Sequence, residues 1–195
     1  MMPPSDRMDL FDRWATTYER DIVRQQSYPF AGYDDVIAAT IASARIAPGH
    51  RVLDLGTGTG NVAAQLLASD CEVWGCDFSE EMLRQARLKV PQGRFARFDL
   101  RGSWPAQLPH RFDRIVSTYV FHELHDDEKI RLLADLIRRR LTPGGRLAVG
   151  DIAFPDDRAL SACRREYRAK WDAEEFYWVA HRIVPRLEAE RLTVA

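Results

Sequence analysis

The amino-acid sequence predicts an α/β protein with three layers, in which a mainly parallel twisted sheet carries helices on both faces. From residue 51 onwards, short apolar segments alternate with segments whose apolar residues recur at helical spacing. The first apolar segment, 51–55, leads directly into a glycine-rich loop, as expected where a strand gives way to a helix. This alternation implies right-handed crossovers and therefore parallel strands.

Length and composition place these elements in one domain. The chain has 195 residues, enough for a sizeable core. We divide it into a helical cap over about 10–45, a cofactor-binding core over 50–151 and a helical C-terminal segment over 152–190. The formal net charge is −1 and the basic residues are scattered, which argues against nucleic acid as a partner.

The sequence also indicates where the protein works. The N-terminus lacks the apolar core of a signal peptide, and no apolar stretch is long enough to cross a bilayer, so we expect no membrane partner. Cys71, Cys76 and Cys163 lack the paired spacing of a zinc site and are interpreted as reduced packing residues. Together these features predict a cytoplasmic protein.

The N-terminal cap is predicted to contain two helices, over about Leu10–Arg24 and about Tyr33–Ala44, because apolar side chains recur there at helical spacing. The run from Ser27 to Gly32 is typical of a turn and separates them.

The core then alternates strand and helix. The predicted strands are Arg51–Leu55, Glu72–Cys76, Arg94–Phe98, Phe112–Thr118 and Arg146–Gly150, and the predicted helices are Gly60–Ala68, Glu80–Lys89 and Asp127–Leu141. Pro143, Gly144 and Gly145 are expected to end the last of these helices.

The C-terminal segment is predicted to be helical again. Two helices are expected, over about Asp156–Trp171 and about Ala173–Glu190, with Pro185 kinking the second.

Acidic side chains follow three of the predicted strands. Asp54, Asp77 and Asp99 each stand where a strand ends, and Thr118 closes the fourth strand. Ligands of an open parallel sheet bind beyond the carboxyl ends of its strands. The sequence therefore predicts that the three acids converge on one ligand crevice.

The glycine-rich loop indicates which ligand this is. Gly56, Gly58 and Gly60 allow the backbone to turn tightly and lie against a ligand at a helix start. Asp54, directly before the loop, would repel a phosphate, so the adenine-bearing ligand should carry positive charge. S-adenosylmethionine meets this condition, with a sulfonium, an ammonium and no phosphate.

A nicotinamide-dependent oxidoreductase is the competing enzyme class. Counted from Gly56, the loop reads G-x-G-x-x-N, so the third glycine of the dinucleotide pattern is absent. This departure and the position of Asp54 both count against a dinucleotide.

The other acids suggest how the cofactor is held. Asp54 is expected to hold the methionine ammonium, directly or through water. Asp77 follows Gly60 at the spacing of a ribose-binding acid, and Asp99 is placed to accept from the adenine amino group. The residues that could lie against the purine faces are Phe78, Met82 and Leu100. The alternatives are a helix N-cap for Asp77 and a turn residue for Asp99.

These segments together closely resemble the class I S-adenosylmethionine-dependent methyltransferases, in particular small, poorly characterised bacterial members. The matching segments are 52–60 for the cofactor loop, 75–83 for the ribose, Asp99 for the adenine and 141–147 before strand five. The resemblance covers roughly 10–151. It implies a Rossmann-like methyltransferase fold and methyl transfer to a small-molecule acceptor, with S-adenosylhomocysteine as the product.

Residues 11–19 also resemble the N-terminal helix of small-molecule methyltransferases. The resemblance implies that Tyr18 closes over the methionine end of the cofactor. The family completes its sheet with a strand six and an antiparallel strand seven, whereas here only strand six would begin, at Leu192–Ala195. We therefore expect a truncated form or an edge covered by another chain, such as the second copy in a homodimer.

The acceptor side is less defined. Residues 119–127 form a polar and aromatic segment after strand four, and His122 is the candidate proton acceptor because its pKa is accessible. A local packing role is the alternative for His122. A metal is not expected, since His122, Glu123, His125 and Asp126 lack the spacing of a helical zinc motif.

Aromatic residues outside the sheet suggest a pocket for a small, partly apolar acceptor. They are Tyr28, Phe30, Tyr33, Tyr167, Trp171, Phe176, Tyr177 and Trp178, accompanied by Asp172, Glu174 and Glu175. Core or dimer contacts are the alternative for these aromatics. A protein that binds S-adenosylmethionine without catalysis is the alternative to an enzyme.

Overall fold

The structure, a computed structural model, describes residues 4–24 and 28–192. Its centre is a five-stranded sheet in the order β3-β2-β1-β4-β5, and every pairing in it is parallel. The strands are β1 (Arg51–Leu55), β2 (Glu72–Asp77), β3 (Arg94–Arg97), β4 (Phe112–Thr118) and β5 (Leu141–Gly150). The predicted parallel α/β fold is confirmed.

Helices cover both faces of this sheet. They are α1 (Pro4–Trp14), α2 (Tyr18–Arg24), α3 (Tyr33–Ala44), α4 (Asn61–Leu66), α5 (Glu80–Lys89), α6 (Asp126–Asp135), α7 (Asp157–Glu166) and α8 (Ala180–Ala189). Successive strand side chains point to opposite faces, so Leu53 packs in the core with α6 and α8, and Val52 in the core with α3 and α4. The result is three layers.

Within the core, β4 and α5 have the predicted bounds. The side chain of Ser79 accepts a hydrogen bond from the backbone N–H of Met82 at 3.1 Å, so Ser79 is the N-cap of α5. The N-cap role considered for Asp77 is therefore wrong.

The first predicted helix is divided in the structure. Leu10–Arg24 was expected to be continuous, but a turn over 15–17 separates α1 from α2. The hydroxyl of Thr16 donates to the carbonyl of Arg13 at 3.2 Å, and that of Thr17 donates to Asp21 at 2.7 Å. Such local bonds from threonine side chains compete with helical continuation.

The boundary between α6 and β5 also differs. The helix was predicted to continue to Leu141, but α6 ends at Asp135 and a π-helical turn covers Leu136–Arg140. The strand begins at Leu141, earlier than predicted, because Leu141 pairs with Phe112 and the extra residues before Arg146 form an irregularity in the ladder.

The predicted helix Ala173–Glu190 is wrong in its first half. There the chain is extended into a short strand β7 (Trp178–Val179), parallel to β6 (Ala153–Phe154), and α8 follows with Pro185 inside it. The backbone N–H of Phe176 donates to the carbonyl of His122 at 2.7 Å, and that of Trp178 donates to the carbonyl of Ile152 at 3.2 Å instead of to Glu174 as in the predicted helix. Tertiary hydrogen bonding thus overrides the helical pattern.

The predicted strand at Leu192–Ala195 lies, except for Leu192, outside the described residues. Within 4–24 and 28–192, β5 is an edge strand with β4 as its one neighbour in the sheet. In those ranges, too, no helix combines the length and the apolar character needed to cross a membrane.

Candidate functional site

The glycine loop turns between the ends of β1 and β2. The backbone N–H groups of Gly56 and Thr57 both donate to the carbonyl of Cys76, at 2.8 and 2.9 Å. Gly56 has φ +76°, and a Cβ added there would lie 2.2 Å from Cγ2 of Val120. The position therefore needs glycine for its backbone conformation and for its close contact with the loop after β4.

Asp54 lies beneath this loop and is 1% exposed. Its Oδ2 accepts a hydrogen bond from the Thr57 hydroxyl at 2.6 Å, whereas its Oδ1 has no hydrogen-bond partner among the described residues. Burial raises the pKa of Asp54 to about 7, although the Thr57 bond acts in the opposite direction. A buried carboxylate oxygen without a partner fits the ammonium of a ligand.

Asp77 joins the loop to α5. Its Oδ2 accepts from the backbone N–H of Gly58 at 2.9 Å and its Oδ1 accepts from that of Ser79 at 3.0 Å. Burial raises its pKa to about 6. Since each carboxylate oxygen can accept a second hydrogen bond, Asp77 retains the capacity to accept from ribose hydroxyls.

The structure does not bring Asp99 into the buried crevice with Asp54 and Asp77. Asp99 is exposed, and its Oδ1 accepts from the backbone N–H of Arg101 at 2.9 Å, which matches the turn alternative. Leu100 beside it is half-buried, whereas Met82 is fully buried.

Aromatic side chains lie over the cofactor crevice. Phe78 packs edge-on against Phe11 of α1, with centroids 5.1 Å apart. Burial raises the pKa of Tyr18, and the nearby Tyr33 and Asp77 raise it further. Tyr33 in turn stacks on Tyr119 at 5.1 Å, next to Thr118 at the end of β4.

His122 lies in the loop after β4 and is 8% exposed. Its Nδ1 is 2.6 Å from Oδ1 of Asp151, and its backbone N–H donates to Oδ2 at 2.9 Å. Asp151 also accepts from the backbone N–H of Ile152 at 2.8 Å and from Nε1 of Trp178 at 3.1 Å. Burial would raise the pKa of Asp151, but His122 and these donors outweigh it and keep that pKa low.

The other ring nitrogen of His122 faces two carboxylates. Nε2 lies 3.8 Å from Oε1 of Glu123 and 3.8 Å from Oε1 of Glu175. Burial lowers the pKa of His122, but Asp151 and both glutamates outweigh it and raise that pKa to about 9. Glu175 also accepts a hydrogen bond from the hydroxyl of Tyr177.

Sequence reasoning found His122 but missed Asp151 as its partner. The available signal was position, because Asp151 directly follows β5 as Asp54 and Asp77 lie at the ends of β1 and β2. Of the other polar residues of this segment, Glu123 lies beside Nε2 of His122, whereas the ring of His125 packs on Phe176 with centroids 3.7 Å apart.

The predicted lid aromatics divide into two groups. Tyr28 stacks on Tyr167 at 5.0 Å and on Trp171 at 5.8 Å, and its hydroxyl bonds to that of Tyr177. The other group contains Phe30 and Tyr33, which both pack against Tyr119 of the loop after β4. Trp178 instead packs on Phe121 at 5.7 Å beside the His122 loop.

Comparison with known proteins identifies relatives of this chain. A family model described as a methyltransferase domain matches residues 52–145. An uncharacterized methyltransferase of Geobacillus kaustophilus (strain HTA426) is 36% identical over 169 residues, covering 84% of this chain and 74% of the relative. An uncharacterized methyltransferase of Bacillus cytotoxicus is 35% identical over 161 residues, covering 77% and 69%.

Solved structures share the fold. Magnesium protoporphyrin IX methyltransferase from Synechocystis, with bound S-adenosylhomocysteine, is 21% identical with a TM-score of 0.70, over 98% of this chain and 90% of that one. A putative methyltransferase in complex with the Haloferax volcanii activator Trm112 is 21% identical with a TM-score of 0.68, over 95% and 77%. With these relatives, this fold and the site beneath the glycine loop, the chain belongs to the class I S-adenosylmethionine-dependent methyltransferases.

Proposed function

We propose that the protein transfers the methyl group of S-adenosylmethionine to a small-molecule acceptor bound beside the loop after β4. The observation that carries this proposal is Asp54, whose buried Oδ1 has no hydrogen-bond partner in the described part of the chain. S-adenosylmethionine supplies the electrophilic methyl group. The protein then has to orient the cofactor and the acceptor and exclude water.

On the cofactor side, we assign Asp54 to the methionine ammonium and Asp77 to the ribose hydroxyls. Gly56, Gly58 and Gly60 form the loop that lies along the cofactor, and Tyr18 covers its methionine end. The remaining assigned contacts are Phe78, Met82, Asp99 and Leu100 around the adenine and Thr118 at the end of β4. Of these, Asp99 is the most exposed, so its contribution to affinity should be the smallest.

The acceptor side is proposed to be the surface formed by residues 119–123 and 171–178. Contact between Gly56 and Val120 supports this placement, because it sets the His122 loop directly against the cofactor loop. Aromatic rings and carboxylates on this surface suit a small acceptor that is partly apolar and carries polar groups.

His122 is the residue that we assign to the acceptor. Its predicted role as proton acceptor requires the neutral imidazole, and a pKa of about 9 leaves most of the protein with a protonated ring at pH 7. That role stays a prediction, as do the cytoplasmic setting and the homodimer.

Calorimetric titration with S-adenosylhomocysteine, with NADH in parallel, tests the proposed function. We expect micromolar binding of S-adenosylhomocysteine alone, weakened by Asp54→Asn and not by Asp35→Asn, an exposed acid of α3. Binding of NADH instead would favour the oxidoreductase. Tight cofactor binding without methyl transfer from labelled S-adenosylmethionine to any member of a broad acceptor panel would favour the binding protein.

A further inference from the structure

The space between His122, Glu123 and Glu175 has the geometry of a cation site. Nε2 of His122 and one carboxylate oxygen from each glutamate all lie within 4.8 Å of one another. Two of the three separations are 3.8 Å, too long for hydrogen bonds. Since the third separation is at most 4.8 Å, a point equidistant from the three atoms lies no more than about 2.5 Å from each, a distance that metal–oxygen and metal–nitrogen bonds can span after small side-chain shifts.

The imidazole is aimed at this point and held there. The His122 side chain is nine-tenths buried, and in the described ranges its Nε2 makes no hydrogen bond. Asp151 orients the ring through Nδ1 at 2.6 Å. A carboxylate on the far nitrogen is the usual outer contact of a metal-binding histidine, because it sets the tautomer and makes Nε2 the free donor atom.

Charge supports the same conclusion. Glu123 and Glu175 are 14% and 19% exposed, so their charges are only partly screened by solvent. The hydroxyl of Tyr177 donates a hydrogen bond to Oε2 of Glu175, which leaves Oε1 directed toward the gap.

We infer that His122, Glu123 and Glu175 bind a divalent cation with one nitrogen and two oxygen ligands, with coordination positions left for an oxygen of the acceptor. One imidazole with two carboxylates suits Mn²⁺ or Zn²⁺. Glu175 comes from the segment expected to be helical and lies far along the chain from His122, so the spacing argument against a metal did not include it. Cation binding stands independently, whereas its role toward the acceptor rests on the proposed function.

The experiment is a titration of the full chain with Mn²⁺, followed by the loss of the free-ion electron paramagnetic resonance signal, with Zn²⁺ by calorimetry. We expect one equivalent to bind with micromolar affinity. Glu175→Gln and Glu123→Gln should each weaken binding at least tenfold, and Glu188→Gln, an exposed acid of α8, should leave it unchanged.

Two results would overturn the inference. The first is a wild-type protein that binds S-adenosylhomocysteine but neither ion more tightly than millimolar. The second is ion affinity that is the same in both glutamine variants as in the wild type. S-adenosylhomocysteine binding is measured separately on each variant and shows whether that variant is folded. The same measurement distinguishes failure of the cation site from failure of the cofactor site.

Discussion

The two sides of the crevice are built in opposite ways. On the cofactor side, contiguous residues of the glycine loop surround Asp54, whose Oδ1 has no partner among the described residues. On the acceptor side, Asp151 accepts four hydrogen bonds, from His122, Ile152 and Trp178. On the cofactor side, the buried charge of Asp54 therefore lacks a partner until a ligand binds. On the acceptor side, the hydrogen bonds to Asp151 join distant segments of the chain. Substitutions of these two acids should therefore separate binding from stability.

The largest expected effect is the loss of stability in Asp151→Asn. Breaking one partner of a buried ion pair typically costs about 3 kcal/mol or more of unfolding free energy. Urea denaturation should show this loss, whereas the affinity for S-adenosylhomocysteine should change less than about threefold. Asp156→Asn is the matched control, because Asp156 is exposed and asparagine also caps a helix well. Unchanged stability in Asp151→Asn would contradict the comparison.

A smaller loss is expected at Gly56, where the two sides touch. In Gly56→Ala, the added Cβ collides with Val120, and alanine is strained at φ +76°. The variant should therefore lose about 2 kcal/mol of unfolding free energy and bind the cofactor more weakly. Gly144→Ala separates the two causes, since Gly144 has φ +77° but no atom within 4 Å of the added Cβ. Equal denaturation midpoints for the two variants would show that Val120 moves away from the added Cβ without a loss of stability.

The difference between the two sides also explains which features of the protein the sequence predicts. The alternating pattern predicted the parallel sheet, which the structure confirms. Asp54, Gly56 and Asp77 could be proposed as cofactor contacts because each stands in the glycine loop or at the end of a strand, which the sequence alone indicates. The extended structure around Trp178 was missed, because the segment before it has helical spacing. Distant partners, the carbonyl of His122 and the strand β6, hold its backbone extended. A local pattern carries no information about such partners.

The relation between Asp151 and His122 shows the same limit at the site. His122 was identified as polar and titratable, but its pKa depends on Asp151, Glu175 and Glu123. The fold brings the first two from two other places along the chain, and Glu123 is the next residue. Asp99 is the opposite case. Its position after a strand predicted a place in the crevice, whereas its side chain is exposed and accepts a hydrogen bond from the backbone N–H of Arg101 within its own turn.

The next expected effect is on binding alone. Asp54→Asn keeps an oxygen that can accept from Thr57 but removes the charge that faces the ammonium, so S-adenosylhomocysteine should bind about tenfold more weakly, or ~1.4 kcal/mol. The apoprotein should be no less stable at pH 8, because a desolvated carboxylate has been removed. If Asp54→Asn instead lost as much stability as Asp151→Asn and kept its affinity for S-adenosylhomocysteine, Asp54 would have a structural role and not a binding role.

The smallest expected effect is the pH dependence of cofactor binding. Burial raises the folded-state pKa of Asp54 to about 7, well above the ordinary value of an aspartate, so ionisation of Asp54 destabilises the apoprotein progressively as pH rises from about 4 to 7. A bound ammonium favours the ionised carboxylate and removes this cost. The rise in melting temperature caused by S-adenosylhomocysteine should therefore be larger at pH 8 than at pH 5.5.

Asp77, with a pKa of about 6, contributes to the same trend, because ribose hydroxyls donate better to its ionised form. In Asp54→Asn, the rise in melting temperature caused by S-adenosylhomocysteine should depend less on pH, and the remaining change should be centred near pH 6. A full pH dependence in Asp54→Asn would assign the effect to Asp77 alone and would mean that the unpartnered Oδ1 of Asp54 does not meet the cofactor's charge.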